Sequence, residues 1–127
     1  MRRWLRSERG QTMVETAMVL PILLILIFGM IDFGRAFNAW ITVTNAAREG
    51  ARVAATRQDA TAINARIDAA MGSLDYPSPV LTNVGGTSGS AVSVTVQTTV
   101  DIMTPLIGDI IGGGSVTLSE TTTMRLE

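Results

Sequence analysis

Glu15-Thr-Ala-Met-Val-Leu-Pro-Ile-Leu-Leu-Ile-Leu-Ile-Phe-Gly-Met-Ile31-Asp32 is the stretch whose reading decides the fold. Between its two acids lie sixteen uncharged residues, ten of them Leu, Ile, Val or Phe. Each of those ten favours the bilayer centre by about 0.3 to 0.6 kcal/mol, so the run favours insertion by roughly 3–6 kcal/mol. As a helix it rises about 24 Å, a little short of a hydrocarbon core of about 30 Å. Met13 and Val14 on one side and Phe33 on the other close the gap if Glu15 and Asp32 lie near the headgroups. The sequence therefore predicts a membrane-spanning helix over Ala17 to Ile31. The competing reading is the core helix of a soluble domain. Pro21 removes the backbone bond to the carbonyl of Ala17 and predicts a kinked or loosened turn, which membrane helices tolerate better than soluble ones.

Charge orients the span. All ten basic residues are Arg, and Arg2, Arg3, Arg6 and Arg9 precede the run, beside a lone Glu8. Residues after it carry an acidic excess, and the whole chain has a net charge of −1. The positive-inside rule puts the N-terminus in the cytoplasm and the C-terminal part outside. The balance is not that of a nucleic-acid binder, which carries a basic excess. With no Cys and no His, disulfide frameworks, thiol nucleophiles and imidazole bases are excluded.

Three fates are open to such a segment. It is kept as an anchor, it is removed as a secretory signal at Gly34-Arg35-Ala36, or its leader is trimmed on the cytoplasmic side. The third has a motif of its own: Gly10 stands five residues ahead of Glu15, at the head of the apolar run. An Arg-rich leader, a Gly and this Glu resemble the processing site of type IV pilin-like proteins. Further along, Glu8-Arg-Gly-Gln-Thr-Met-Val-Glu-Thr-Ala-Met-Val-Leu-Pro-Ile-Leu-Leu24, Gly29-Met-Ile-Asp-Phe-Gly-Arg35 and Asn45-Ala-Ala-Arg-Glu-Gly-Ala-Arg52 resemble the TadE family of Flp/Tad pilus assembly proteins. The resemblance is specific over roughly residues 8–55. It implies a minor pseudopilin cut between Gly10 and Gln11 by a prepilin peptidase. It also implies partners: the inner membrane, other pilins and pseudopilins, and the assembly platform. Thr16, where major pilins commonly carry an aromatic, fits a minor component. An unpaired carboxylate at the edge of an apolar helix is costly, so Glu15 is the candidate for pairing with the terminal amine of a neighbouring subunit.

Beyond Asp32 the helix is expected to continue to about residue 57 as a stalk. A stripe at 4/3 spacing runs through Phe33, Phe37, Trp40, Thr44, Ala47, Ala51 and Ala54. Its aromatics suit a membrane-interface belt, and its small residues let a sheet or another helix approach closely. A second helix is predicted from Ala60 to Met71, capped by Asp59, striped by Ile63, Ile67 and Met71, and stopped by Gly72. Val80 to Val84 reads as a short strand and 85–90 as a flexible loop. Val92, Val94, Val96, Thr98 and Val100 alternate with polar residues in a half-buried strand from Ala91. Residues 101–111 read as a short helix or irregular turn around Pro105 and Gly108. Val116, Leu118, Thr122, Met124 and Leu126 alternate in a last strand. The expected architecture is α+β and pilin-like: a long N-terminal transmembrane and stalk helix packed against a small antiparallel sheet. The organisation is a basic leader over 1–10, the transmembrane and stalk helix over 11–57, and an extracytoplasmic domain over 58–127.

No constellation carries chemistry. Asp32, Asp59, Asp68, Asp75, Asp101 and Asp109 lack the spacing of a metal site or an acid–base pair, so neither enzyme activity nor a cofactor is expected. Two functional classes remain: an assembly component of a pilus system, and an unprocessed anchored or secreted envelope domain that binds a surface ligand.

Overall fold

A computed structural model describes residues 8–56, 59–104, 108–110 and 112–127, with only the backbone of Glu8 and Arg9. Arg2, Arg3 and Arg6 of the leader, and Pro105, lie outside the described residues. Five elements follow in order: α1 (Glu8–Ala55), α2 (Ala60–Met71), β1 (Val80–Thr82), β2 (Ala91–Asp101) and β3 (Ser115–Arg125). The sheet is antiparallel in the order β1-β2-β3. The layout is α+β, a long apolar helix packed by its second half against a small sheet.

α1 is 48 residues long and runs through Pro21 without a break. Among the described residues, its first half is almost wholly exposed. The most apolar eighteen-residue window has a mean hydropathy of 2.4, and none of it is buried. Met18, Leu20, Ile22, Leu24, Leu26 and Phe28 are all exposed. They take in every side of the helix, since successive helical residues are about 100° apart. A helix apolar all round belongs in lipid or in a protein interior, and no core of this chain covers it. The soluble core-helix reading is thereby set aside.

The second half of α1 is different. Asp32, Ala39, Val43, Ala46, Ala47, Ala51 and Ala54 are buried. They form one inward line at spacings of three, four and seven. The stripe read from the sequence divides here. Ala47, Ala51 and Ala54 lie on the inward line, but Phe33, Phe37 and Trp40 are one residue, about 100°, away from it and exposed. The sequence pattern favoured the aromatics because they are large. The sheet instead takes the small residues, because only they allow a close approach. Gly50 makes this plainest: a Cβ there would stand 2.8 Å from Ile67 and 3.2 Å from Val94.

α2 forms as its residues predict. The Asp59 carboxylate accepts from the Ala62 N–H at 3.0 Å. Ile63, Ile67 and Met71 are buried, and Gly72 ends the helix at φ 62°. Glu49 of α1 receives Arg52 at 3.0 Å and Arg66 of α2 at 3.1 Å. This partly exposed bridge sets the angle between the helices more than it stabilises them. Thr98, buried on β2, donates to the Asp75 carbonyl and ties the linker after α2 to the sheet. Tyr76 in that linker donates to Asp68. Desolvation, with help from that carboxylate, pushes the tyrosine pKa up to about 12.

Val92, Val94 and Val96 of β2 complete the core against α1 and α2. β1 is shorter than the sequence suggests. Asn83 takes φ 62°, and its side-chain amide donates to the Ala91 carbonyl at 2.8 Å, which turns the chain back after Thr82. The segment read as a flexible loop is pinned by Ser90 N–H to the Thr87 carbonyl and Gly89 N–H to the Leu126 carbonyl. The buried Leu126 follows β3, and the Glu127 N–H donates to Ala55 O at 3.1 Å, closing the end of α1. On the outer face, Ser93 pairs with Thr123 and Thr95 with Thr121, each at 2.8 Å. β3 is an edge strand, and its half-buried Glu120, opposite Val96, faces α1. An inward-facing charge on an edge strand discourages a further strand from adding.

Gly50→Leu should lower stability by about 1–3 kcal/mol through overpacking, read as a fall in the unfolding midpoint of the full chain in detergent. Gly34→Leu is the control and should leave the midpoint unchanged, because a Cβ at Gly34 meets nothing within 4 Å.

Candidate functional site

Two sites along α1 carry the functional reading. One surrounds Glu15 at the start of the apolar run. The other surrounds Asp32 at its end.

At the first site Gly10 and Gln11 are already helical, two and three residues after the start of α1 at Glu8. The Gln11 amide donates to Glu15 Oε1 at 3.4 Å, one turn on. Thr16 donates to the Thr12 carbonyl at 2.9 Å. Both Glu15 and Gln11 are exposed, and among the described residues Glu15 has no ion pair, only that long hydrogen bond. Helical spacing is what brings Gln11 and Glu15 together. An amine at residue 11 would lie close to the same carboxylate. Ala17, Pro21 and Ile31 are all exposed.

At the second site the structure adds a role the sequence did not disclose. Asp32, expected near the lipid headgroups, is 8% exposed. Its carboxylate accepts from Met103 N–H at 3.0 and 3.1 Å, and from Thr104 N–H at 2.9 Å. It also accepts from the Thr104 hydroxyl at 2.6 Å. Arg35 donates to the Asp101 carbonyl at 3.0 Å and stands 3.5 Å from Asp32. Backbone bonds tie the described residues that follow to one another. Gly108 N–H donates to Thr104 O, and Gly112, Gly113 and Gly114 N–H all converge on Gly108 O. A Cβ on Gly108 would stand 3.2 Å from Gly114 Cα. Gly112 and Gly114 have φ of 82° and 63°, a region open chiefly to glycine. These glycines allow the chain to turn back into β3. A sequence signal for this was available: an Asp ending an apolar run, and a Thr following an apolar strand end. Sequence spacing alone gives no means of joining positions 71 and 72 residues apart.

The aromatics lie just past this second site on the exposed side. Phe33 stacks on Phe37 with centroids 6.2 Å apart, and Phe37 meets Trp40 at 5.9 Å. Among the described residues, no group of three or more acids is placed to hold a metal ion.

A family model described as TadE-like protein matches residues 10–52. The match covers about a third of the chain, and over that stretch α1 is similar to the TadE-like family. The match takes in Gly10, Glu15, the apolar run, Asp32 and most of the sheet-facing line, and it ends before α2. Together with one helix long and apolar enough to cross a bilayer, the match indicates a single-pass membrane protein. No curated protein and no solved structure matches the chain.

Asp32→Ala should release the Met103 and Thr104 amides, whose hydrogen exchange should accelerate at least tenfold while that of β2 Val94 stays unchanged. Asp32→Asn, which keeps one acceptor oxygen, should fall between the two. Equal exchange in all three proteins would show that the carboxylate does not hold the loop.

Proposed function

We propose that the chain is a minor pseudopilin of a Flp/Tad-type pilus system, cut after Gly10 by a prepilin peptidase and acting by helix–helix assembly in or from the inner membrane. The N-terminus is cytoplasmic and the α2–β3 domain extracytoplasmic in this reading. The observation that carries it is Glu15: an exposed carboxylate at the head of a helix that is apolar on every side, with no ion-pair partner among the described residues. Lipid receives such a helix. When it leaves lipid, it needs the apolar surfaces of other helices. Cleavage at Gly10 would create an ammonium at Gln11. In a packed bundle, that group on one subunit would neutralise Glu15 of its neighbour, where an unpaired charge is expensive. The pairing would select the depth at which helices dock. Partners in this reading are the membrane, the prepilin peptidase, other pilins and pseudopilins, and the platform.

The second reading is an unprocessed anchor whose outer domain binds an envelope or surface ligand. It gains from one observation: Gly10 is helical, so cleavage first requires the start of α1 to unwind. Helix ends fray readily, so this is a small barrier.

The mature N-terminus separates the two. Sequencing of the membrane-bound chain should give Gln11, and Gly10→Leu should leave the leader attached. Glu15→Ala should be cut normally yet be lost from assembled pilus fractions. A mature chain that keeps its leader in cells making pili would overturn the processing step. Normal incorporation of Glu15→Ala would overturn the pairing.

A further inference from the structure

The loop joining β2 to β3 lies at the boundary between the apolar run and the domain. Asp32 is the residue next to Ile31, the last of the run, so at 1.5 Å per residue it stands at the edge of the lipid-facing helix. Its carboxylate holds the Met103 and Thr104 amides within hydrogen-bond distance. The loop is therefore fixed at the height where the helix would leave the hydrocarbon. Its polar parts turn inward: Thr104 is fully buried on Asp32. Two of its apolar side chains turn outward. Met103 is 62% exposed and Ile110 is 77% exposed. Single exposed apolar residues are ordinary on soluble proteins. Here two of them lie on one loop clamped beside a membrane span.

A third feature lies at the same height. A cleft of about 250 Å³ opens between α1 and the sheet, lined by Gly29, Phe33 and Ala36 on one side and Val100, Ile102 and Val116 on the other. Asp32 is its one charged lining residue, and that carboxylate is occupied by the loop. An apolar cleft bounded partly by Gly29, within the uncharged run, is continuous with the surface that lipid already covers.

We propose that this loop is a second membrane contact. Met103 and Ile110 sit in the outer headgroup and upper acyl region, and a phospholipid acyl chain fills the cleft beside Phe33. The domain then lies on the bilayer instead of standing away from it on a free stalk. Its tilt is fixed at two points, the span and the loop. The charged groups nearby are Arg35, Asp101 and Asp109. Asp101 and Asp109 are exposed, and they disfavour a contact driven by anionic lipid. Arg35 is already committed to Asp32 and the Asp101 carbonyl. The contact is thus apolar, and neutral phosphatidylcholine suffices for it. This proposal rests on the reading of Ala17 to Ile31 as a membrane span.

The chain has no cysteine, which allows single labels. Full-length Met103→Cys and Ile110→Cys, carrying an environment-sensitive fluorophore, would be reconstituted in phosphatidylcholine vesicles. Leu24→Cys serves as the span reference and Ser119→Cys, on the outer sheet face, as the water reference. The expected result is severalfold stronger quenching at 103 and 110 than at 119 by lipids spin-labelled high in the acyl chain. Quenching at 24 should be strongest with lipids labelled deep in the chain. Labels at 103 and 110 that match 119 while 24 stays lipid-quenched would overturn the loop contact and leave the span intact. A label at 24 that also matches 119 would overturn the span, and the loop contact with it.

Discussion

The carboxylate of Asp32 decides where one helix stops belonging to lipid and starts belonging to protein. Ahead of it the helix shows apolar side chains in every direction. From it onward, one line of the same helix is buried against the domain. No turn or linker separates the two regimes, so the helix itself cannot mark the boundary. Asp32 does so by taking three donors from the β2–β3 connection. The two Thr104 donors would otherwise be buried without partners, a cost of about 1–3 kcal/mol for each such group. The connection returns the benefit by covering a carboxylate that sits beside an apolar run.

Once that end is fixed, packing of the outer half follows from size. α1 meets the sheet and α2 through Ala39, Ala46, Ala47, Gly50, Ala51 and Ala54, with Val43 as the largest apolar residue on the line. Small residues supply little apolar area of their own. They let the helix axis approach closely enough for Ile63, Ile67 and the β2 valines to supply it. Larger side chains on α1, such as Phe33, Phe37 and Trp40, would hold the sheet away. They lie instead on the side left free for lipid, a membrane interface or another subunit. The Glu127 bond to Ala55 O closes the far end, so the sheet is held to the helix at both ends and packed between them.

Much of this was legible from local pattern. The apolar run, α2 with its Asp59 cap and Gly72 stop, and the alternation of β2 each depend on neighbours within a few residues. That is the range over which helix and strand periodicity work. The features that escaped the pattern depend on distant partners. Asp32 looked like a headgroup residue because Met103 and Thr104 are more than seventy positions away. The stripe read from the sequence ran one residue off the inward line between Phe33 and Thr44 because it joined the aromatics to the small residues in one row. Gly50 gave no signal beyond its place in a run of small residues, and Glu120 gave none that it faces the helix. Around the first site, Gly10, Gln11 and Glu15 were legible as a motif. Whether they act as a cleavage and pairing site depends on other molecules, which no intramolecular contact records.

The central claim is that α1 is one unbroken helix shared by membrane and domain. The most direct test is the distance between spin labels at Leu24→Cys and Arg48→Cys, both exposed positions, measured by pulsed electron resonance on the full chain in vesicles. A continuous helix predicts a single narrow distribution near about 36 Å between the two backbones, before the label arms are added. A broad or clearly shorter distribution would mean that the chain bends between the span and the stalk, and would contradict the shared helix.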